Sequence, residues 1–424
     1  MNGRRRGAVG RIAAESARLA FGAIRSQPLR SLLAIAGVVI GVVTVVLVTA
    51  VLAGVRSQVA LLFREIGSDN VFAYHRTGDP YSPPAEAEAQ RRPLDPALAP
   101  RIAALGNEIR DVAVQLLVPV LDGGRPLVVR GGGNESEQAL VEGVSANFME
   151  ITDAELAAGR PFTPLEERVG ARLAVMGANV AQALWGRGRA TGRELRLGGV
   201  AFTVIGEVAP RQGAVFGENR QDNVIMIPLG TARRLYPEAE EAVFYIQAEP
   251  GRREAARAEV EAILRRLRDL GPGEPNDFHL STSDQIIAQI DRLGARIGLV
   301  TAALAAVSLL IGGLGIANVM IIAVTERTRE IGLRRALGAR RGEVRRQFLL
   351  EAAILSLAGG AAGVVVASLL GLLLTLAAPG FAAVPPLWAV AGGLAAAAGT
   401  GLLAGYLPAR RASALDPVEA LRWE

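Results

Sequence analysis

The sequence predicts a membrane protein with four transmembrane α-helices, one and then three, and a large two-lobed α+β extracytoplasmic domain between spans 1 and 2. Three observations carry this reading. Half of the 424 residues are hydrophobic but only 4% are aromatic, and the mean hydropathy is +0.31, a balance that belongs to bilayer-embedded chains. Four runs, 32–54, 297–324, 349–376 and 385–407, lack Arg, Asp and His. Each reaches the roughly 20 residues needed to cross about 30 Å of hydrocarbon. Residues 55–296, between the first two runs, mix charge with β-rich stretches and belong in water.

Charge orients these spans. Residues 1–31 hold seven Arg and one Glu, 55–296 hold 28 Arg against 33 acidic residues, and 325–348 hold eight Arg and three Glu. The basic excess alternates across the spans, which predicts a cytoplasmic N-terminus, a cytoplasmic 325–348 loop and a cytoplasmic tail over 408–424. The net charge of +5 therefore reads as membrane topology, and no nucleic-acid partner is expected. The first run is longer than the 7–15 apolar residues of a secretion signal, so it reads as an uncleaved span.

The leader, 1–31, contains an amphipathic helix over 8–25. Arg4, Arg11, Arg18 and Arg25 recur every seven positions, which suits a helix lying on the inner face of the bilayer; a solvated leader is the alternative. In the domain, 70–75, 112–121, 127–131, 172–177 and 223–229 read as strands. Residues 194–209 read as a hairpin turning at Gly198 and Gly199, and 77–93 as a Pro-rich loop. Residues 251–271 form an amphipathic helix, and 283–298 a helix continuous with the second span. One lobe is expected over about 55–138 and 240–296, with a second inserted over about 139–239.

Catalytic chemistry is missing from the pattern. The chain has two histidines, His75 and His279, and no cysteine or lysine. Neither His-pair metal sites nor a phosphate-cradling GxxxxGK[ST] loop can be built. No nucleophile elbow occurs, and only a Ser–His arrangement assembled by tertiary folding is left open. No catalytic, cofactor-binding or metal residues are predicted. Gly37 with Gly41, Gly359 with Gly363, and Gly401 with Gly405 are small-xxx-small pairs, candidate helix contacts within the bundle or between subunits. Glu351 is expected at the cytoplasmic edge among arginines, and Asn318 in a hydrogen bond between helices.

The loop 325–348 carries more arginine than orientation requires. Leu333, Leu337, Val344 and Phe348 would share one stripe if it were a single helix, but Gly338 and Gly342 predict two short helices, the second leading into the third span. Such a segment suits docking to a protein partner.

"ERTREIGLRRALGARRGEV" (326–344) resembles the signature loop of the MacB/FtsX family of ABC-transporter permeases, also called type VII. "LRSLLAIAGVVIGVVTVV" (29–46), "GSDNVFAY" (67–74), "ELRLGGVAFTVIGEV", "NVIMIPL" and "PARRASALDPVEALRWE" (408–424) are similar to the family in the same order. The resemblance implies a MacB-like core with a porter-like lobe and a smaller inserted one, followed over 297–424 by an FtsX-like membrane domain. It also implies a second permease copy, identical or related, and two ABC ATPase subunits that bind ATP and Mg. By that resemblance the ATPase-coupling role falls on Glu326, Arg327, Arg329, Glu330, Ile331, Gly332, Arg334, Arg335, Ala336, Leu337 and Gly338. In MacB the ATPase is fused ahead of the first span; here a basic leader stands before it, so a separate ATPase chain is expected. The function implied is a permease coupling ATP hydrolysis to extracytoplasmic movement for export of a hydrophobic or amphipathic substrate, with a membrane-fusion adaptor as a further partner. A lipoprotein-release (LolC/LolE-like) permease and an FtsX-like regulator of a cell-wall hydrolase are the alternatives.

Overall fold

The structure, a computed structural model, describes residues 28–65, 69–77, 88, 90–119, 121–122, 125–136, 139–186, 188–210, 220–378 and 381–421. The expected leader helix over 8–25 and most of the loop expected over 77–93 lie outside the described residues. The chain divides into two compact units, Arg56–Ile290, and Met1–Val55 with Asp291–Glu424.

The α+β unit is built on fourteen strands among the described residues: β1 (Asn70–Tyr74), β2 (Ile109–Leu117), β3 (Leu121–Asp122), β4 (Arg125–Pro126), β5 (Val129–Gly131), β6 (Asn134–Ser136), β7 (Leu140–Val144), β8 (Leu156–Gly159), β9 (Leu173–Met176), β10 (Glu194–Leu197), β11 (Val200–Val208), β12 (Val224–Pro228), β13 (Ala242–Ala248) and β14 (His279–Thr282). Twelve make one sheet in the order β14-β1-β13-β2-β7-β12-β9-β11-β10-β5-β6, with β8 also on β11, while β3 and β4 form a separate ribbon. The β10–β11 hairpin turns at Gly198 (φ 53°) and Gly199 (φ 86°). Two successive positive φ values match the right-handed twist of the flanking strands and favour glycine at both positions.

The sheet crosses the expected lobe boundary without a break. β5, assigned from sequence to the first lobe, pairs instead with β10 at the far end, with Arg196 opposite Arg130 and Leu197 opposite Val129, and β6 pairs with β5. β13 lies at the centre of the other end, antiparallel to both β1 and β2. Phe202, Phe244, Leu116, Met176, Ile225 and Ile227 are fully buried along the sheet. The helix Arg253–Leu267 buries Ala256, Val260, Ile263 and Leu264, a stripe at the helical period.

In the other unit, four helices are long and apolar enough to cross a membrane among the described residues. They are Pro28–Glu65, Ser283–Glu326, Arg341–Ala377 and Leu387–Ala414. The fourth continues past the expected end at Leu407, through Pro408 to Ala414, because Pro408, Ala409, Ala412 and Ser413 are buried in the bundle. A short helix, Pro417–Leu421, follows.

Small residues let the helices meet backbone to backbone. A Cβ on Gly37 would lie 2.7 Å from Gly312 Cα, and one on Gly41 3.0 Å from Leu309 Cγ. The same construction puts Gly359 3.3 Å from Ile35 and Val38, Gly363 2.9 Å from Val42 Cβ, Gly401 2.6 Å from Ala352 O and Gly405 2.5 Å from Ala352 Cβ. All six glycines therefore face helices of their own bundle. Ser356 Oγ donates to Ala397 O at 2.5 Å, tying the third helix to the fourth.

Candidate functional site

The second membrane helix stops at Arg327, whose backbone (φ −106°, ψ 17°) leaves the helical region, and the helix Thr328–Ala336 begins. Thr328 Oγ1 lies 2.9 Å from Thr325 O and 3.1 Å from Val324 O, so the carbonyls freed at the break keep a polar partner. The short helix closes in a Schellman turn. Ala339 N–H donates to Arg334 O and Gly338 N–H to Arg335 O, both at 3.1 Å, with Gly338 at φ 99°. Arg340 N–H then donates to Glu343 Oε2 at 3.0 Å and opens the third membrane helix.

The inner face of this loop helix is fixed in place. Ile331 is buried, and a Cβ on Gly332 would meet Ala420 Cβ at 2.5 Å, so the tail helix Pro417–Leu421 seats directly on the glycine. Arg334 Nη2 donates to Glu330 Oε1 at 2.6 Å and its Nη1 to Gln347 Oε1 at 3.0 Å. Gln347 Nε2 in turn donates to Glu351 Oε1 at 3.3 Å. Arg327 pairs with Glu351 at 3.5 Å, and Arg335 Nη1 donates to Ser413 O at 2.7 Å. The loop helix is thus bonded to the third and fourth membrane helices as well as covalently joined to the second. A cavity of about 20 Å³ remains between Arg327, Ile331, Gln347 and Phe348, enough for one water.

The outer face is open. Leu333 is 51% and Leu337 80% exposed, four residues apart and so on one side of the helix. Glu326, Arg329, Glu330, Ala336 and Gly338 are exposed beside them. The segment is two helices, as Gly338 and Gly342 predict, and the stripe a single helix would have shown is absent because the break at Gly338 resets the helical phase. Val344 and Phe348 are buried while Leu333 and Leu337 face outward. Glu351, expected at the cytoplasmic edge among arginines, does pair with Arg327 and accepts from Gln347, but it is buried, 4% exposed. Asn318 is exposed, and its side chain makes no hydrogen bond among the described residues.

The α+β unit holds a second polar cluster. Tyr74 faces His279 across β1 and β14, so His75, the residue that follows β1, lies next to the strand position paired with His279. Tyr74 Oη donates to Glu241 Oε2 at 2.5 Å, and Arg76 also donates to Glu241. Burial lowers the pKa of both His75 and His279. Among the described residues no group of three His, Cys, Asp or Glu is placed to hold a metal ion.

Residues 31–263 match the model of the MacB-like periplasmic core domain, and residues 302–417 that of the FtsX-like permease C-terminal. The chain belongs to the MacB/FtsX family of permeases. This MacB/FtsX-family chain is 35% identical over 413 residues to the pyoverdine export ATP-binding/permease protein PvdT of Pseudomonas putida, covering 97% of this chain and 60% of that protein. It is 30% identical over 410 residues to the probable syringafactin export ATP-binding/permease protein SyfD of Pseudomonas syringae pv. tomato, 96% of this chain and 58% of the relative. It therefore spans less than two thirds of these relatives. The crystal structure of the periplasmic region of MacB from Actinobacillus actinomycetemcomitans aligns with a TM-score of 0.42 at 14% identity, over 54% of this chain and 95% of that one.

Proposed function

We propose that this chain is the permease part of an ABC exporter that works as a mechanical transmitter in the bacterial inner membrane. Two copies would assemble with two ATPase subunits, which bind ATP and Mg, with the termini and the loop helix in the cytoplasm and the α+β domain outside. The observation that carries this reading is the loop helix itself, fixed from behind to three membrane helices while presenting Leu333 and Leu337 outward. An ATPase closing on that face would move a rigid lever, and the 44-residue helix Ser283–Glu326 would carry the movement to the far side. Cargo would be expelled outside the membrane without crossing it through these spans. The relatives' names give pyoverdine and syringafactin as cargo at 35% and 30% identity, which supports an amphipathic export substrate as a class.

The bonding pattern selects the test. Arg334 and Arg335 also hold the bundle together, so their reversal would mix docking with folding. Leu337→Asp and Leu333→Asp change only the outer face. Co-expressed with its ATPase, each variant is expected to fold and extract normally but to lose co-purification and vanadate-sensitive ATP hydrolysis. Retention of both by the double variant would overturn the coupling role.

A further inference from the structure

The loop helix Thr328–Ala336 is joined to the membrane helices through two breaks in the backbone. Arg327 leaves the helical region at one end, and Gly338 takes φ 99° at the other. Breaks of this kind are where a chain hinges. Held by them alone, the nine-residue helix would pivot and absorb an applied movement instead of passing it on.

On one side polar side chains oppose the pivot: Arg334 reaches Gln347, and Arg327 reaches Glu351, both on the third membrane helix. On the other side the opposing contact is steric and comes from the tail. After Ala414 the backbone of Leu415 is extended (φ −53°, ψ 132°) while its side chain packs on the bundle core. Asp416 then starts the helix Pro417–Leu421. Its side chain accepts from Val418 N–H at 2.8 Å and its carbonyl from Ala420 N–H at 2.9 Å, with Pro417 in the first helical position. This turn carries Ala420, which is buried, back onto Gly332. A Cβ added at Gly332 would stand 2.5 Å from Ala420 Cβ but 3.5 and 3.6 Å from Ala420 C and Cα, so the side chain at 420 alone forbids one at 332. Arg335 Nη1, donating to Ser413 O at 2.7 Å, grips the same segment just before the turn.

We propose that the tail helix is a strut: it keeps the loop helix at a fixed angle and passes its movement into the fourth membrane helix. Gly332, Arg335 and Ala420 are then positioning residues that act through this contact and not contacts to the ATPase. The proposal rests on the coupling reading above and adds a second output, Leu387–Ala414, beside the helix Ser283–Glu326.

The test uses the permease co-purified with its ATPase in lipid nanodiscs and compares hydrogen exchange in the nucleotide-free and vanadate-trapped states. Residues 283–298 report the first output and 381–390 the second. In the wild type both are expected to change on trapping. Ala420→Leu, which drives the tail off the loop helix, is expected to keep the ATPase bound and to lose the change at 381–390. Gly332→Ala is expected to lose it as well, and Ala420→Gly added to Gly332→Ala is expected to restore it, because the one Cβ that the new methyl meets is gone. Where Ala420→Leu does not extract as monodisperse protein, this rescue pair decides. A full change at 381–390 in Ala420→Leu or in Gly332→Ala, or no rescue by the pair, would overturn the strut. A wild type that changes at 283–298 but not at 381–390 would remove the strut and leave the coupling reading intact, whereas no change at either place would remove both.

Discussion

The two units are held together by opposite means. In the α+β unit the centre is filled by large side chains such as Phe202, Phe244, Leu116 and Met176, whereas Phe381 is the one residue of the membrane unit among the largest fully buried side chains. The membrane helices meet through glycine and alanine: Gly37 on Gly312, Gly363 on Val42, Gly401 and Gly405 on Ala352. The difference follows from the solvent each unit is built for. In water, burying a large apolar side chain releases it from an unfavourable environment. In lipid that gain vanishes, so association depends on close backbone approach, dispersion and interhelical hydrogen bonds.

The sharpest way to break this contrast is to put a large side chain where the membrane unit has none. Gly401→Leu and Gly37→Leu would place atoms within 2.6 and 2.7 Å of backbone on a neighbouring helix. Overpacking against backbone costs about 3 kcal/mol or more, so both variants are expected to lose the folded bundle, read as loss of monodisperse protein after detergent extraction. Next is the converse change, Phe244→Ala at the sheet centre, with an expected cost of about 3–5 kcal/mol. Protease digestion is expected to cut the α+β unit of that variant while the membrane fragment stays protected. Cleavage of both at the same rate would show that the two units unfold as one.

The smallest expected effect concerns a surface cap. Thr163 and Glu166 form a capping box, and Arg160 donates to the Glu166 carboxylate at 2.6 and 2.8 Å. That pairing, opposed by slight burial and reinforced by Thr163, holds the Glu166 pKa down to about 2. The contribution is therefore complete above the ordinary carboxylate value of about 4.3 and lost as pH falls toward 2. Because Arg160 is half exposed, it amounts to about 1 kcal/mol or less. Glu166→Gln is expected to lower the melting temperature slightly at pH 7 and to flatten its decline between pH 4.5 and 2, measured by thermal denaturation across that range.

The parts of the fold that were legible in sequence are those whose signal is local. The Gly198–Gly199 hairpin, the amphipathic helix ending at Leu267 and the helix running unbroken into the second span each follow from a period or a turn. β13 was missed although "AVFYIQA" combines aromatic and β-branched residues, because charged residues flank it on both sides. β7, "LVEGV", gave no such signal, since a buried Glu142 and a glycine interrupt its apolar run. The loop helix was legible as two pieces around Gly338, but the side it presents was not. Arg334 and Arg335, which read as docking residues, are half-buried and also bond to Gln347 and Ser413, contacts that no local pattern announces.

Sequence alone determined where the apolar runs lie, how charge alternates around them and which glycines recur at helical spacing. Those are properties of a single dimension, set by hydrophobic length, residue type and period. Tertiary structure decided that β5 pairs with β10 and β6 with β5, that all six paired glycines face their own bundle, that Glu351 is buried, and that Asn318 faces outward. Each of these depends on which distant segment comes to lie opposite, and that choice is settled by loop closure and shared burial among residues the linear pattern does not connect.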